Sequence, residues 1–176
     1  TLATASFRGT APSHTQVLWN GMKINSPLLG QVDFSLIPSY LVDEMSLWHG
    51  ASSTHVTGGA LGGAITLHNK PMQKPGTDLH FIQGISSSNT FDEYLRVRYS
   101  TESWESSTRL IYVSSRNDFK YRNYSKKYFN EAGELIVYPV ERNKNCEYRD
   151  WHLLQEFYLN KTGPNRYSIA AWLMDT

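Results

Sequence analysis

Six histidines, one cysteine and a serine pair are the residues of this 176-residue chain that could do catalytic or metal chemistry. Their spacing supports neither. His14, His49, His55, His68, His80 and His152 form no H-x-x-x-H pair and no Cys/His set of the kind that closes a tetrahedral metal site. Ser52 and Ser53 follow Gly50 without the Gly-x-Ser-x-Gly frame that exposes a nucleophile, and Cys146 sits in a polar stretch with no base placed beside it. The cluster Gly58-Gly59-Ala60-Leu61-Gly62-Gly63 lacks the Lys-Ser/Thr of a phosphate loop, so a close-packed turn is its better reading. No catalytic residue, metal or cofactor is expected, and the chain is not expected to be an enzyme. The remaining chemistry is recognition, and it depends on the elements that hold the loops.

Two textures divide the chain. Up to about Pro75 it is rich in Gly, Ser and Thr and broken into short apolar segments. Val17-Leu18-Trp19 and Met22-Lys23-Ile24 flank Asn20-Gly21, the dipeptide that tolerates positive φ at both central positions and closes a tight hairpin. Ser35 to Glu44, with Pro38 early and then Tyr40, Leu41, Val42 and Met45, predicts a short helix docking on that hairpin. Ala64-Ile65-Thr66-Leu67-His68 predicts a strand.

From Asp78 the pattern becomes alternation with period two, as in antiparallel strands with two differently solvated faces. Five strands are predicted. Leu79, Phe81 and Ile85 share a face in the first; Leu95, Val97 and Tyr99 oppose Tyr94, Arg96 and Arg98 in the second; Leu110 and Tyr112 mark the third. Trp151, Leu153, Phe157 and Leu159 alternate with His152, Glu156 and Tyr158 in the fourth, and Tyr167, Ile169, Ala171 and Leu173 make the fifth. The turns near 88–90, 102–105 and 163–164 are short, whereas 118–147 is a long polar loop. Short turns on one side and long loops on the other are the habit of outer-membrane barrels. Trp151, Phe157, Tyr99 and Tyr112 would then be interfacial girdles, although in a soluble sheet the same residues would be ordinary core.

The 17 Lys+Arg against 16 Asp+Glu give no electrostatic case for nucleic acid. No apolar run approaches the roughly 20 residues of a membrane helix. A single cysteine excludes an intramolecular disulfide framework. The start at Thr1, without a signal peptide, points either to an intracellular protein or to a processed or excised piece.

Several motifs in register carry a resemblance. Phe7-Arg8-Gly9, then Val17 to Asn25 around Asn20-Gly21, then Asp33-Phe34-Ser35-Leu36-Ile37-Pro38, then His49-Gly50, and finally Ser53 to Leu67 with Gly58, Gly62 and Gly63, resemble the plug domain of TonB-dependent outer-membrane receptors. The vitamin B12 receptor type looks nearest, chiefly through Arg8-Gly9-Thr10 followed by Ser13-His14. The similarity spans roughly residues 1 to 70, and the strand periodicity supports the rest.

The resemblance implies an α+β partial plug over 1–75, followed over 76–176 by the first strands, about five, of a transmembrane β-barrel. The 118–147 loop would be extracellular. Plugged transporters have about 22 strands, so the chain is expected to be a fragment, unable to close a barrel or transport alone. The segment that contacts the TonB complex is expected to be missing from it. Gly9, Gly21, Gly50, Gly58, Gly62 and Gly63 would be structural glycines. Arg8 would be a plug-to-barrel latch, a ligand contact or a solvated charge. In the family two arginines make such latches, and His49 in the second position implies a weaker or pH-dependent one. Ser13 and His14 would lie on an apical loop that touches substrate, or be merely solvated. Leu28, Leu29 and Gln31 would form a second apical loop, with core packing as the alternative for one leucine.

The implied function is binding and import of a scarce substrate (cobalamin, a siderophore or a glycan) across a Gram-negative outer membrane. The rival from another class is a soluble β-sandwich that binds carbohydrate through surface Trp and Tyr.

Overall fold

The computed structural model describes residues 2–7, 9–49, 62–87, 89–161 and 163–176. Arg8, Gly50 and Gly58 therefore lie outside the described residues. The chain divides into two compact units, Thr1–Pro71 and Met72–Thr176.

The first unit is a mixed four-stranded sheet. Strand β1 (Thr15–Trp19) pairs antiparallel with β2 (Met22–Lys23) through the Asn20-Gly21 turn. Asn20 at φ 48° and Gly21 at φ 86° give the left-handed pair that a two-residue hairpin needs to follow the twist of its strands. β3 (Glu44–Trp48) pairs antiparallel with β4 (Gly63–His68), and β4 runs parallel to β1, giving the order β2-β1-β4-β3. As the central strand covered on both faces, Ala64-Ile65-Thr66-Leu67 is buried throughout, which explains its lack of alternation. Val17, Trp19, Leu41, Ile65 and Leu67 form the core.

The helix predicted for Ser35 to Glu44 does not form. Two separate 3-10 turns, Phe34–Leu36 and Ser39–Leu41, take its place, and Glu44 already belongs to β3. Pro38 is the cause. Its ring excludes the helical region for the preceding residue, and Ile37 is extended at φ −117°, ψ 93°. Asp33 caps the first turn by accepting from the Ser35 N–H at 3.0 Å. The α+β architecture expected for residues 1–75 is thus not found among the described residues of the first unit, which form a small sheet with 3-10 turns. Leu41 is nevertheless fully buried, as docking on the hairpin required.

A buried asparagine ties these pieces together. The Asn69 amide donates to the Leu41 carbonyl at 2.9 Å and accepts from Trp19 Nε1 at 3.3 Å, while its backbone N–H donates to Asn20 Oδ1 at 2.9 Å.

The second unit is a five-stranded antiparallel meander in the order β13-β12-β7-β6-β5. Its strands are β5 (Gly76–Ser86), β6 (Thr90–Ser100), β7 (Trp104–Ser115), β12 (Tyr148–Leu159) and β13 (Tyr167–Asp175). The 118–147 segment is more ordered than a loop. It contains β8 (Lys120–Arg122) paired with β11 (Val140–Arg142), and inside these β9 (Lys127–Phe129) paired with β10 (Leu135–Val137).

Register builds the two faces of the meander. Phe81, Leu95, Leu110, Leu153 and Leu173 lie side by side across all five strands. One end of this belt carries Phe91, Tyr112 and Trp151; the other carries Tyr99, Trp104, Phe157 and Tyr167. The polar intruders on this face satisfy one another: Thr108 donates to Gln155 at 2.6 Å, and Gln155 donates to Ser106 at 3.1 Å. The opposite face is ionic, with Asp78, Arg96 and Arg98 on neighbouring strands and Glu105, Arg109, His152 and Glu156 buried. From the Trp104 row to the Ser114 row the strand climbs about 34 Å. At a barrel tilt of roughly 40° this is about 26 Å, matching the ~25 Å apolar band of outer-membrane barrels. Among the described residues of this unit no second sheet covers the apolar face, as a β-sandwich would require.

Candidate functional site

Two turns meet at the end of the first sheet opposite the Asn20-Gly21 hairpin. The first is the 3-10 turn Pro12–His14, entered through Pro12, whose fixed φ suits the first position of a turn. The second runs from Ser26 to Gln31. It is closed by Gly30 N–H donating to the Ser26 carbonyl at 2.8 Å and by Ser26 N–H donating to the Gln31 carbonyl at 3.0 Å.

Gly30 allows the two turns to touch. It sits at φ +70°, and a Cβ there would lie 3.2 Å from Ser13 Cβ. Gly62 reaches the same place, donating its N–H to the His14 carbonyl at 3.1 Å; a Cβ on it would meet Thr10 Oγ1 at 2.5 Å. A Cβ on Gly63 would meet the Trp48 carbonyl at 2.8 Å. Close approach is therefore what these two glycines provide.

Asn25 is the post beneath both turns. Buried, it accepts from the Val17 N–H at 2.8 Å and donates to the carbonyls of Thr15 and Gly30, each at 2.9 Å. One side chain thus fixes strand β1, the root of the Ser13-His14 turn, and the tip of the Leu28-Leu29 turn. Asn25→Ala strands three backbone groups, two of them buried and the Gly30 carbonyl partly so, and is expected to destabilise this unit by about 2–4 kcal/mol. Urea unfolding would measure that loss, and hydrogen exchange should rise first over 26–31.

The structure brings Ser13, His14, Leu28, Leu29 and Gln31 to one end of one sheet. Ser13 and His14 are exposed, and so are both leucines, Leu28 at 92% and Leu29 at 62%. Gln31 is half-buried, lining a narrow void with Pro12 and Thr15. His49 lies exposed just after β3, whose last residue Trp48 pairs with Ala64 at the same end of the sheet, one row from the Thr15–Gly63 pair. Among the described residues no three His, Cys, Asp or Glu side chains gather as a metal site.

The 118–147 ribbon offers a second surface. Glu141 is its hub, accepting from Asn123 Nδ2 at 2.9 Å, Lys126 Nζ at 2.6 Å and Tyr121 Oη at 3.3 Å. The Asn123 amide first, and then the Lys126 ammonium, hold the Glu141 carboxyl below its usual range; the same hydrogen bond raises Lys126. Tyr124 and Phe129 project outward from the ribbon. Sequence reasoning missed Asn25, for a buried asparagine after a hairpin has no spacing signal. It also missed Gly30 as a contact point, although Leu28-Leu29-Gly30 already reads as a turn.

Comparison with known proteins agrees with this architecture. The family model described as TonB-dependent Receptor Plug Domain matches residues 1–64. The vitamin B12 transporter BtuB of Vibrio vulnificus (strain YJ016) is 32% identical over 68 residues, covering 39% of this chain and 11% of that transporter. The solved structure of the copper transporter OprC superposes with a TM-score of 0.66 over 93% of this chain, at 17% identity, and shares the fold. This chain spans 23% of OprC. Residues 1–64 are therefore similar to the plug domain of TonB-dependent receptors, and the plug-type sheet leading into a meander that is apolar on one face and ionic on the other shares the fold of OprC.

Proposed function

We propose that this chain is part of an outer-membrane receptor that captures a scarce substrate on its outer side and imports it with energy from the TonB complex. The observation that carries the reading is the face assignment of the second unit. An apolar belt ending in aromatic rows at both ends suits lipid, and the ionic face opposite suits a barrel interior. With β5 running outward, the turns at 101–103 and 160–166 are periplasmic and the 118–147 ribbon is extracellular. The isolated meander has open edges on β5 and β13, which further strands would have to close.

Within the plug, Ser13, His14, Leu28, Leu29 and Gln31 form the apical surface that contacts substrate, the leucines against its apolar bulk and His14 against a polar or metal-bearing group. Arg8 and His49 act as latches to the barrel wall. Cobalamin is the first candidate substrate, because the matched BtuB is a vitamin B12 transporter; a siderophore or glycan is the alternative.

The test uses the full-length receptor carrying Ser13→Trp together with His14→Trp. Binding of radiolabelled cobalamin should weaken by at least about tenfold, roughly 1.4 kcal/mol, while the unboiled protein keeps its compact mobility on gels. Tight cobalamin binding that the double variant leaves unchanged would remove these residues from the site.

A further inference from the structure

At the outer end of β6, β7 and β12 a cleft of about 840 Å³ opens between the strand ends and the root of the ribbon. Its charges are unbalanced. Arg116, Arg142, Lys144 and Arg149 face two carboxylates, Asp118 and Glu147, and Asp118 is taken up by Arg142 at 2.6 Å. Among the described residues no ion pair engages Arg116, Lys144 or Arg149, and all three are exposed.

Register fixes which side of the sheet this cleft serves. Phe91, Ser114 and Arg149 are direct neighbours across three strands, one row beyond Tyr112 and Trp151. They share the parity of Leu95, Leu110 and Leu153, so Arg149 continues the apolar, lipid-side face. Arg149 thus stands immediately above an aromatic row, at the depth where a bilayer passes from acyl chains to headgroups, and Arg116 and Lys144 line the same cleft beside it. A ligand for the barrel interior would not be met there. Guanidinium forks match phosphate oxygens two at a time, and a compact ammonium beside them adds charge.

We propose that this cleft binds the phosphate of an outer-leaflet lipid headgroup, seating it against the rim of the sheet. The inference rests on the outer-membrane reading given above. The lipid's acyl chains would lie along the belt that begins with Tyr112 and Trp151.

The experiment titrates the full-length receptor, in a neutral detergent, with lipid A and with its dephosphorylated form, followed by native mass spectrometry. The variant is Arg116→Gln/Lys144→Gln/Arg149→Gln. Each cation lost should weaken lipid A binding roughly fivefold, and all three about a hundredfold; the dephosphorylated lipid should not distinguish the two proteins. Equal lipid A binding by wild type and variant overturns the proposal. Displacement of lipid A by millimolar inorganic phosphate also overturns it, in favour of a small-anion site. Mobility of the unboiled protein on gels is read in parallel. A wild type without a heat-sensitive compact form means that the outer-membrane reading itself has failed, whereas a compact form without phosphate-dependent binding defeats the lipid site alone.

Discussion

Replacing Lys161 with Met in the full-length receptor is expected to cost about 3–5 kcal/mol of stability. Glu105 is the reason. Its side chain is fully buried, and its Oε2 accepts from the Met72 N–H at 2.7 Å and meets Lys161 Nζ at 3.2 Å. Lys161 is itself only 8% exposed and also donates to Ser100 Oγ. Without the ammonium, a carboxylate stays buried with one hydrogen bond and no countercharge. The second half of the result separates pair from packing. Lys161→Met with Glu105→Leu removes both charges and should recover most of the loss, because a buried ion pair is worth little against an apolar pair of similar volume. Urea titration of the refolded receptor in bilayers measures both. A single variant as stable as wild type would show that water reaches Glu105.

The second large effect lies on the other face and depends on depth. Leu110→Arg places a charge at the centre of the belt, beside Leu95 and Leu153, and is expected to cost about 2–4 kcal/mol. Phe91→Arg places the same charge at the rim, where the cost falls to about 0–1 kcal/mol. Both positions have the same parity and are exposed on the sheet. Only a solvent whose polarity changes along the strand separates them. Equal penalties would mean that protein, rather than a bilayer, covers this face.

How much of this was legible in the sequence differs by element. The hairpin at Asn20-Gly21 was legible because one dipeptide meets a conformational demand that few others meet. The five long strands were legible because their faces see different solvents, so Leu95, Val97 and Tyr99 separate from Tyr94, Arg96 and Arg98 at period two. The run from Ser35 to Glu44 misled because its apolar residues fit a helix locally, while Pro38 imposes an extended residue before it. The ribbon was missed because strands of three residues, such as Lys127–Phe129, are too short to show a period.

For the candidate site, the loops carrying Ser13-His14 and Leu28-Leu29 came from the family resemblance rather than from spacing. What holds them together was not legible at all. The contact of Gly30 with Ser13 and the three hydrogen bonds of Asn25 join residues whose proximity exists only after β1 and β2 have paired. The ion pairs of the inner face follow the same rule. Arg96 and Arg98 stood out as the polar side of β6, but their shared partner Asp78 lies on β5 and is brought within 3.1 Å of each by register.

The central claim is that the second unit belongs to a barrel in the outer membrane, and one fractionation tests it most directly. An antibody against residues 118–147 is used to probe soluble and outer-membrane fractions of the source cell, run on gels with and without boiling. The expected result is a membrane band several times heavier than 20.1 kDa that changes mobility on heating. A soluble band near 20.1 kDa, indifferent to heat, would contradict it.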